Sequence, residues 1–320
     1  MSPFLLTRTL PADATDAALR TDVLHGLTRQ PKTLPPKWFY DARGSELFEE
    51  ITRLPEYYPT RAEREILIER ADEIARASGA RTLIELGSGS SEKTGHLLDS
   101  LPELHSYVPV DVSESALRGA AEALLAGRPG LSVHALVADF TGGLALPGTP
   151  GPRLLAFLGG TIGNLLPEER AAFLRSARSL LSPGDALLLG TDLVKDEKVL
   201  VAAYDDAAGV TAEFNRNVLR VVNRELGADF DPEGFDHVAL WDPRNEWIEM
   251  RLRARRAQTV KVPALDLLVG FEAGEELRTE VSAKFRRERV RAELEAAGLR
   301  LDQWWTDSGE RFALSLATAL

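Results

Sequence analysis

Residues 83–94 read LIELGSGSSEKT, and what this loop can hold decides the fold. If Gly87 opened a G-x-x-x-x-G-K-[ST] phosphate loop, Lys93 and Thr94 would stand at the lysine and hydroxyl positions, but Glu92 fills the second glycine. A carboxylate there brings a Cβ and a negative charge to a loop whose N–H groups must face polyphosphate. The dinucleotide pattern G-x-G-x-x-G fails at the same residue, where a small side chain is needed for close helix–strand packing. A third reading has an acidic residue near the end of an apolar strand, then G-x-G, around a ligand without phosphate. S-adenosylmethionine (SAM) sites have this form, and a sulfonium cation tolerates neighbouring carboxylates. A nucleotide-dependent oxidoreductase and a non-catalytic SAM-binding module remain as alternatives at this point.

Composition points to an enzyme of small molecules. The chain has 320 residues, 44% apolar and 27% charged, enough for one large core or two unequal domains. A net charge of −11 opposes a broad footprint for nucleic acid. The absence of cysteine excludes disulfides, thiolate nucleophiles and sulfur-ligated metals. The five histidines show no ligand spacing, and DFDPEGFDHVAL (229–240) ends on Leu240 where a calcium loop needs a bidentate Glu, so no metal is expected. The N-terminal apolar run is too short for a secretory signal, no segment approaches 18 uninterrupted apolar residues, and a cytoplasmic protein without a membrane partner is expected.

Working outward from the loop, apolar runs at TLIELG, SYVPVDV, LSVHALVADF, RLLAFLGG and ALLLGTDL alternate with helical patterns such as ESALRGAAEALLAG and PEERAAFLRSARSLL. This is the rhythm of an α/β protein with a parallel, Rossmann-like sheet. Thr60 and Glu63 form a possible capping box for a helix leading into the first of these strands. The pattern changes to an α+β insertion between about 195 and 285, then returns to a helix and two strand-like runs. The expected division is residues 61–194 and 286–320 in the nucleotide-type domain, and 1–60 with 195–285 in a smaller substrate domain.

Open α/β sheets bind ligands beyond the carboxyl ends of their strands. Asp111 closes YVPVD, 24 positions after Gly87, where a carboxylate can accept from both hydroxyls of a ribose or serve as a strand-end turn residue. Asp139 and Phe140 close the next strand, as an acceptor and an aromatic wall suited to an adenine. In FLGGTIGN the glycines permit close backbone approach, and Asn164 suits either substrate contact or capping of the following helix.

The stretches LPPKWFYDARGSELFEEITRLPEYYPTRAE, IELGSGSSEKT, FLGGTIGNL and LRTEVSAKF closely resemble the histidine Nα-methyltransferases of ergothioneine biosynthesis, across nearly the whole chain. The resemblance implies a class I SAM-dependent methyltransferase sheet with a second, substrate-binding domain, and trimethylation of L-histidine to hercynine. Position by position it implies cofactor contacts from Tyr40, Gly87, Lys93, Asp111, Asp139, Phe140 and Gly159. It implies a substrate pocket from Tyr57, Asn164, Tyr204, Phe214, Met250, Glu280 and Ser282, with Tyr57 and Asn164 nearest the reacting amine.

The residues themselves bear on this. In RTEVSAKF, period-two alternation sets Glu280 and Ser282 on one strand face, where they could address the two nitrogens of an imidazole or form an ordinary solvated surface. In EMRLRAR the same alternation turns Met250 inward and Arg251, Arg253 and Arg255 toward solvent.

Overall fold

The computed structural model describes residues 3–11, 13–89, 94–128, 130–140 and 144–320. The chain divides into two compact units: Met1–Pro11, Pro59–Leu193 and Phe285–Leu320 form the first, and Ala12–Tyr58 with Val194–Lys284 the second.

The first unit is built on an eight-stranded sheet in the order Phe4–Arg8, Ser132–Val137, Ser106–Asp111, Thr82–Leu86, Arg153–Phe157, Ala186–Asp192, Phe312–Ala319, Leu299–Thr306. All neighbours pair in parallel except along Phe312–Ala319, which runs against both of its partners. The Thr82 strand is buried at every position, as expected of a parallel strand covered on both faces. The strand order reverses between the Thr82 and Arg153 strands. Their carboxyl ends, Leu86 beside Phe157, therefore mark the switch point where such sheets take ligands.

One expectation is corrected here. Residues 1–60 do not all join the insertion, because Phe4–Arg8 lies along Val133–Val137 as an edge strand of the large sheet. An edge position needs few apolar contacts of its own, and FLLTR supplies one inward-facing set. The inner boundaries fall at 193/194 and 284/285, one residue from those expected, because Leu193 bridges Phe285 at the base of the first unit. The helix Pro59–Ser78 begins on proline, one residue ahead of Thr60, as a fixed proline φ favours. Glu63 is fully buried, and its Oε1 accepts from the backbone of Gly159 at 2.6 Å. A β-carbon on Gly190 would lie 2.6 Å from that same oxygen, so a side chain there would displace the Glu63 carboxylate from its contact with Gly159.

The second unit holds a four-stranded sheet ordered Lys32–Thr33, Glu276–Ala283, Trp247–Ala254, Phe235–Asp242, together with the hairpin Gln258–Val262 and Leu267–Phe271. Its core gathers Val23, Phe39, Val218, Phe235, Ile248 and Leu252 with their neighbours, against the helix Val210–Leu226. Among the described residues, no helix is long and apolar enough to cross a membrane.

Candidate functional site

In the first unit Gly87, Asp111, Phe140 and Gly159, read as cofactor contacts, lie at or just beyond the carboxyl ends of their strands, at and beside the switch point. Gly87 and Gly89 take φ of 66° and 50°, a region costly for side chains, and their loop begins as the Gly87 amide donates to Val110 O at 2.8 Å. Asp111 spans two loops: one carboxylate oxygen accepts from Gly89 N at 3.0 Å and the other from Ser113 N at 2.9 Å. Each oxygen retains acceptor capacity, as two ribose hydroxyls require. The Phe140 ring lies 3.6 Å from where a Gly87 β-carbon would be, and it stacks edge-on against Phe157 at 5.3 Å. Gly159, at φ 78°, opens the loop that ends in the 3-10 turn Thr161–Asn164. Asp139 and Asn164 are both half-buried. Lys93 lies outside the described residues.

The acidic residue that precedes the glycines has an internal role. Glu85 is buried and accepts from Thr94 Oγ1 at 2.6 Å and from Tyr107 Oη. The hydroxyl that a phosphate loop would offer to a metal is thus given to a buried carboxylate. These groups suit a neutral ribose and an adenine ring, and the cradle fits SAM.

In the second unit Tyr57, Tyr204 and Phe214, read as substrate contacts, belong to one aromatic cluster with Tyr40 and Phe48. Phe214 lies 5.5 Å from Tyr40 and 6.0 Å from Phe48, Phe48 lies 6.1 Å from Tyr57, and Tyr57 lies 6.3 Å from Tyr204, mostly in edge-on or tilted contacts. Tyr40, read as a cofactor contact, belongs to this cluster. It keeps 51% of its surface accessible. Glu280 pairs directly with Met250 across the antiparallel ladder, and Ser282 pairs with Ile248, so the four share one face of the sheet. A register shift between Arg278 and Glu280 re-aims that strand.

Sequence reasoning missed Lys284. It is fully buried, and its ammonium donates to Tyr204 Oη at 2.9 Å and Ser282 Oγ at 2.9 Å, while those two oxygens lie 2.7 Å apart. The signal was present, since the alternation that joins Glu280 to Ser282 continues to Lys284.

Behind this cluster, His237 Nε2 lies 2.7 Å from Tyr204 O and Nδ1 lies 2.9 Å from Asn215 Nδ2. The carbonyl must accept and the amide must donate, which fixes the neutral Nε2–H tautomer. Asn215 Oδ1 is in turn 2.6 Å from Thr279 Oγ1 at the strand irregularity. Burial pushes the His237 pKa below 6.5, against the opposing pull of the Tyr204 carbonyl and Asp205. With the folded value depressed, the unfolded chain takes up the proton first as pH falls. The stability His237 secures is present above the unfolded pKa and is lost as pH drops through the folded one. The melting temperature should therefore fall between pH 7 and pH 5.5, and more steeply for wild type than for His237→Asn. Parallel melting curves across that window would remove His237 from the account.

The sheet order, with one reversed strand second from its edge, and the phosphate-free cradle at its switch point define a class I SAM-dependent methyltransferase. The sequence model described as "Histidine-specific methyltransferase, SAM-dependent" matches residues 19–319. The chain belongs to this histidine-specific, SAM-dependent methyltransferase family. It is 59% identical to the histidine N-alpha-methyltransferase of Mycolicibacterium smegmatis over 98% of both chains. It is 57% identical to that of Mycobacterium tuberculosis over 96% of this chain and 97% of the relative. Ergothioneine biosynthesis protein 1 of Neurospora crassa is 32% identical over 88% of this chain, which spans 32% of that longer protein.

Proposed function

We propose that the protein transfers methyl groups from SAM to the α-amino nitrogen of L-histidine, three times in succession, to give hercynine in ergothioneine biosynthesis. The observation that carries this reading is the pairing of Glu280 with Met250 beside the Ser282 and Tyr204 hydroxyls, a carboxylate and a hydroxyl group set for a polar ring. Glu280 and Ser282 address the imidazole nitrogens, Met250 and Phe214 flank the ring, and Tyr204 and Asn164 hold the carboxylate. Asp111, Asp139, Phe140, Gly87, Gly159, Lys93 and Tyr40 bind the cofactor.

When bound, SAM supplies a methyl group on a positively charged sulfur, so the leaving group is ready-made. The protein's task is positioning, which can contribute up to about 7–11 kcal/mol. Tyr57, directly or through water, and Asn164 orient the neutral amine so that its lone pair would face the methyl group that bound SAM would supply, with the sulfur as the leaving group. Each of the first two products gives up a proton to water and regains a lone pair. The third is a quaternary ammonium with neither, and methylation stops. The ring faces of Tyr57 and Phe214 favour the increasingly methylated cation. The same reading places the enzyme in the cytoplasm, acting on a small molecule without a metal, membrane or nucleic-acid partner.

Incubation with SAM and each of the twenty amino acids, followed by mass spectrometry, should show a gain of three methyl groups on histidine alone. Trimethylation of another amino acid in preference to histidine would overturn the reading. Asn164→Ala should lose most turnover while keeping its melting temperature. A collapsed melting temperature with full activity in the folded fraction would instead make Asn164 a helix cap.

A further inference from the structure

We infer that Thr279 and Asn215 are positioning residues for ring recognition, because together they pin the strand irregularity that sets Glu280 beside Met250. The inference rests on the histidine reading above and deepens it.

The irregularity decides which face of the sheet Glu280 occupies. Along Glu276–Ala283 the ladder sets Arg278 against Arg251 and then Glu280 against Met250, so Thr279 is the extra residue of a bulge. An unbroken ladder would have set Thr279 against Met250 and Glu280 against Glu249. Directly paired residues share a face. Glu280 would then have stood with Glu249, a buried carboxylate that accepts from Trp247 Nε1 at 3.0 Å and Arg251 Nε at 2.8 Å. The bulge gives Glu280 the face of Met250, Ile248 and Ser282 instead.

Two buried side chains hold the bulge in place. Thr279 is 1% exposed, and its Oγ1 lies 2.6 Å from Asn215 Oδ1 and 3.0 Å from Met250 O. Both are acceptors, so the hydroxyl donates to this side. Asn215 comes from the helix Val210–Leu226, next to Phe214, and is fully buried. Its amide nitrogen donates to Arg251 O at 3.1 Å and to His237 Nδ1 at 2.9 Å. Consecutive carbonyls on the strand opposite the bulge are thus engaged by these side chains, Met250 O by Thr279 and Arg251 O by Asn215. One amide joins the helix that carries Phe214, the strand that carries Met250 and the bulge that precedes Glu280. Removing either side chain leaves buried polar groups unpaired at this point. If the irregularity then slips one residue onward, Thr279 takes the place opposite Met250 and Glu280 turns to the other face.

Thr279→Val keeps the shape of the side chain and removes its hydroxyl. In this variant kcat/KM for histidine should fall about tenfold, while the dissociation constant of S-adenosylhomocysteine should change by less than about twofold. Thr279→Ser restores the hydroxyl and should recover most of the loss. The deciding measurement is the cycle with Glu280→Ala. Because Thr279 acts by aiming Glu280, adding Thr279→Val to Glu280→Ala should lower kcat/KM by less than about a further twofold, as residues acting as one unit are non-additive. A full tenfold loss in that background would make Thr279 a packing element and overturn the inference, as would a wild-type kcat/KM in Thr279→Val. If Thr279→Val does not fold, Asn215→Ala removes the same hydrogen bond from the helix side and enters the same cycle, with the same outcomes deciding. Trimethylation of histidine by the wild-type protein is measured first. Its absence would refute the histidine reading itself, whereas its presence together with an additive cycle would refute the positioning role alone.

Discussion

Glu280→Ala is expected to lower kcat/KM for histidine by about 10- to 150-fold, the equivalent of one charge-assisted hydrogen bond worth about 1.5–3 kcal/mol. The loss should be selective. A site that presents a carboxylate and a hydroxyl to a ring rejects ligands that leave those groups unpaired more strongly than an apolar pocket rejects a ligand of the wrong size. Removing the carboxylate also removes the desolvation cost that an apolar aromatic side chain would otherwise meet there. Met250 stands directly opposite on the neighbouring strand and is 2% exposed. Met250→Val added to Glu280→Ala should open space into which a larger ring can settle. Measuring kcat/KM for histidine and tryptophan in wild type, Glu280→Ala and the double variant tests this. A histidine-to-tryptophan preference that stays constant across the three proteins would exclude these residues from ring recognition.

Asp111→Ala should weaken S-adenosylhomocysteine binding by a comparable 10- to 150-fold, or about 1.5–3 kcal/mol. Part of this comes from the ribose and part from the loops, because the carboxylate tethers the amides of Gly89 and Ser113. Asp111→Asn divides the two, since an amide oxygen can keep one tether while the charge is lost. Titration calorimetry reads both variants, and an unchanged dissociation constant in Asp111→Ala would remove Asp111 from the cofactor site.

The parallel strands of the first unit were legible because each is a short apolar run between helical periods, and a strand buried on both faces has to look that way. The alternation in residues 279–284 was legible for a similar reason: parity along a strand is a local property. Lys284 has the same parity and was overlooked because a lysine normally belongs in water. Among the partners of its buried ammonium are two hydroxyls, one of them 80 residues away at Tyr204. Phe4–Arg8 was missed because its partner, Val133–Val137, lies 129 residues on, and nothing in FLLTR specifies which edge it will join. Glu63 has the spacing of a helix cap, yet its carboxylate accepts from Gly159, 96 residues distant. Each miss concerns a polar group or an edge whose partner is chosen by tertiary structure.

The interleaved strands also set an order on synthesis. The Phe4–Arg8 strand is made well before residues 133–137 and must wait for them before it can pair. The Phe312–Ala319 strand is made after the other seven strands of this sheet, yet it sits inside the sheet, between Ala186–Asp192 and Leu299–Thr306, with its first six residues buried. Until it arrives, the Ala186 strand exposes an unpaired edge of seven residues, all of which are buried in the finished protein. The second unit has all of its residues once Lys284 has been added, before the first unit can close its sheet. A nascent chain therefore carries a complete second unit alongside an open, apolar sheet edge. An unpaired apolar edge of this kind is prone to pair with other chains until the Phe312–Ala319 strand covers it.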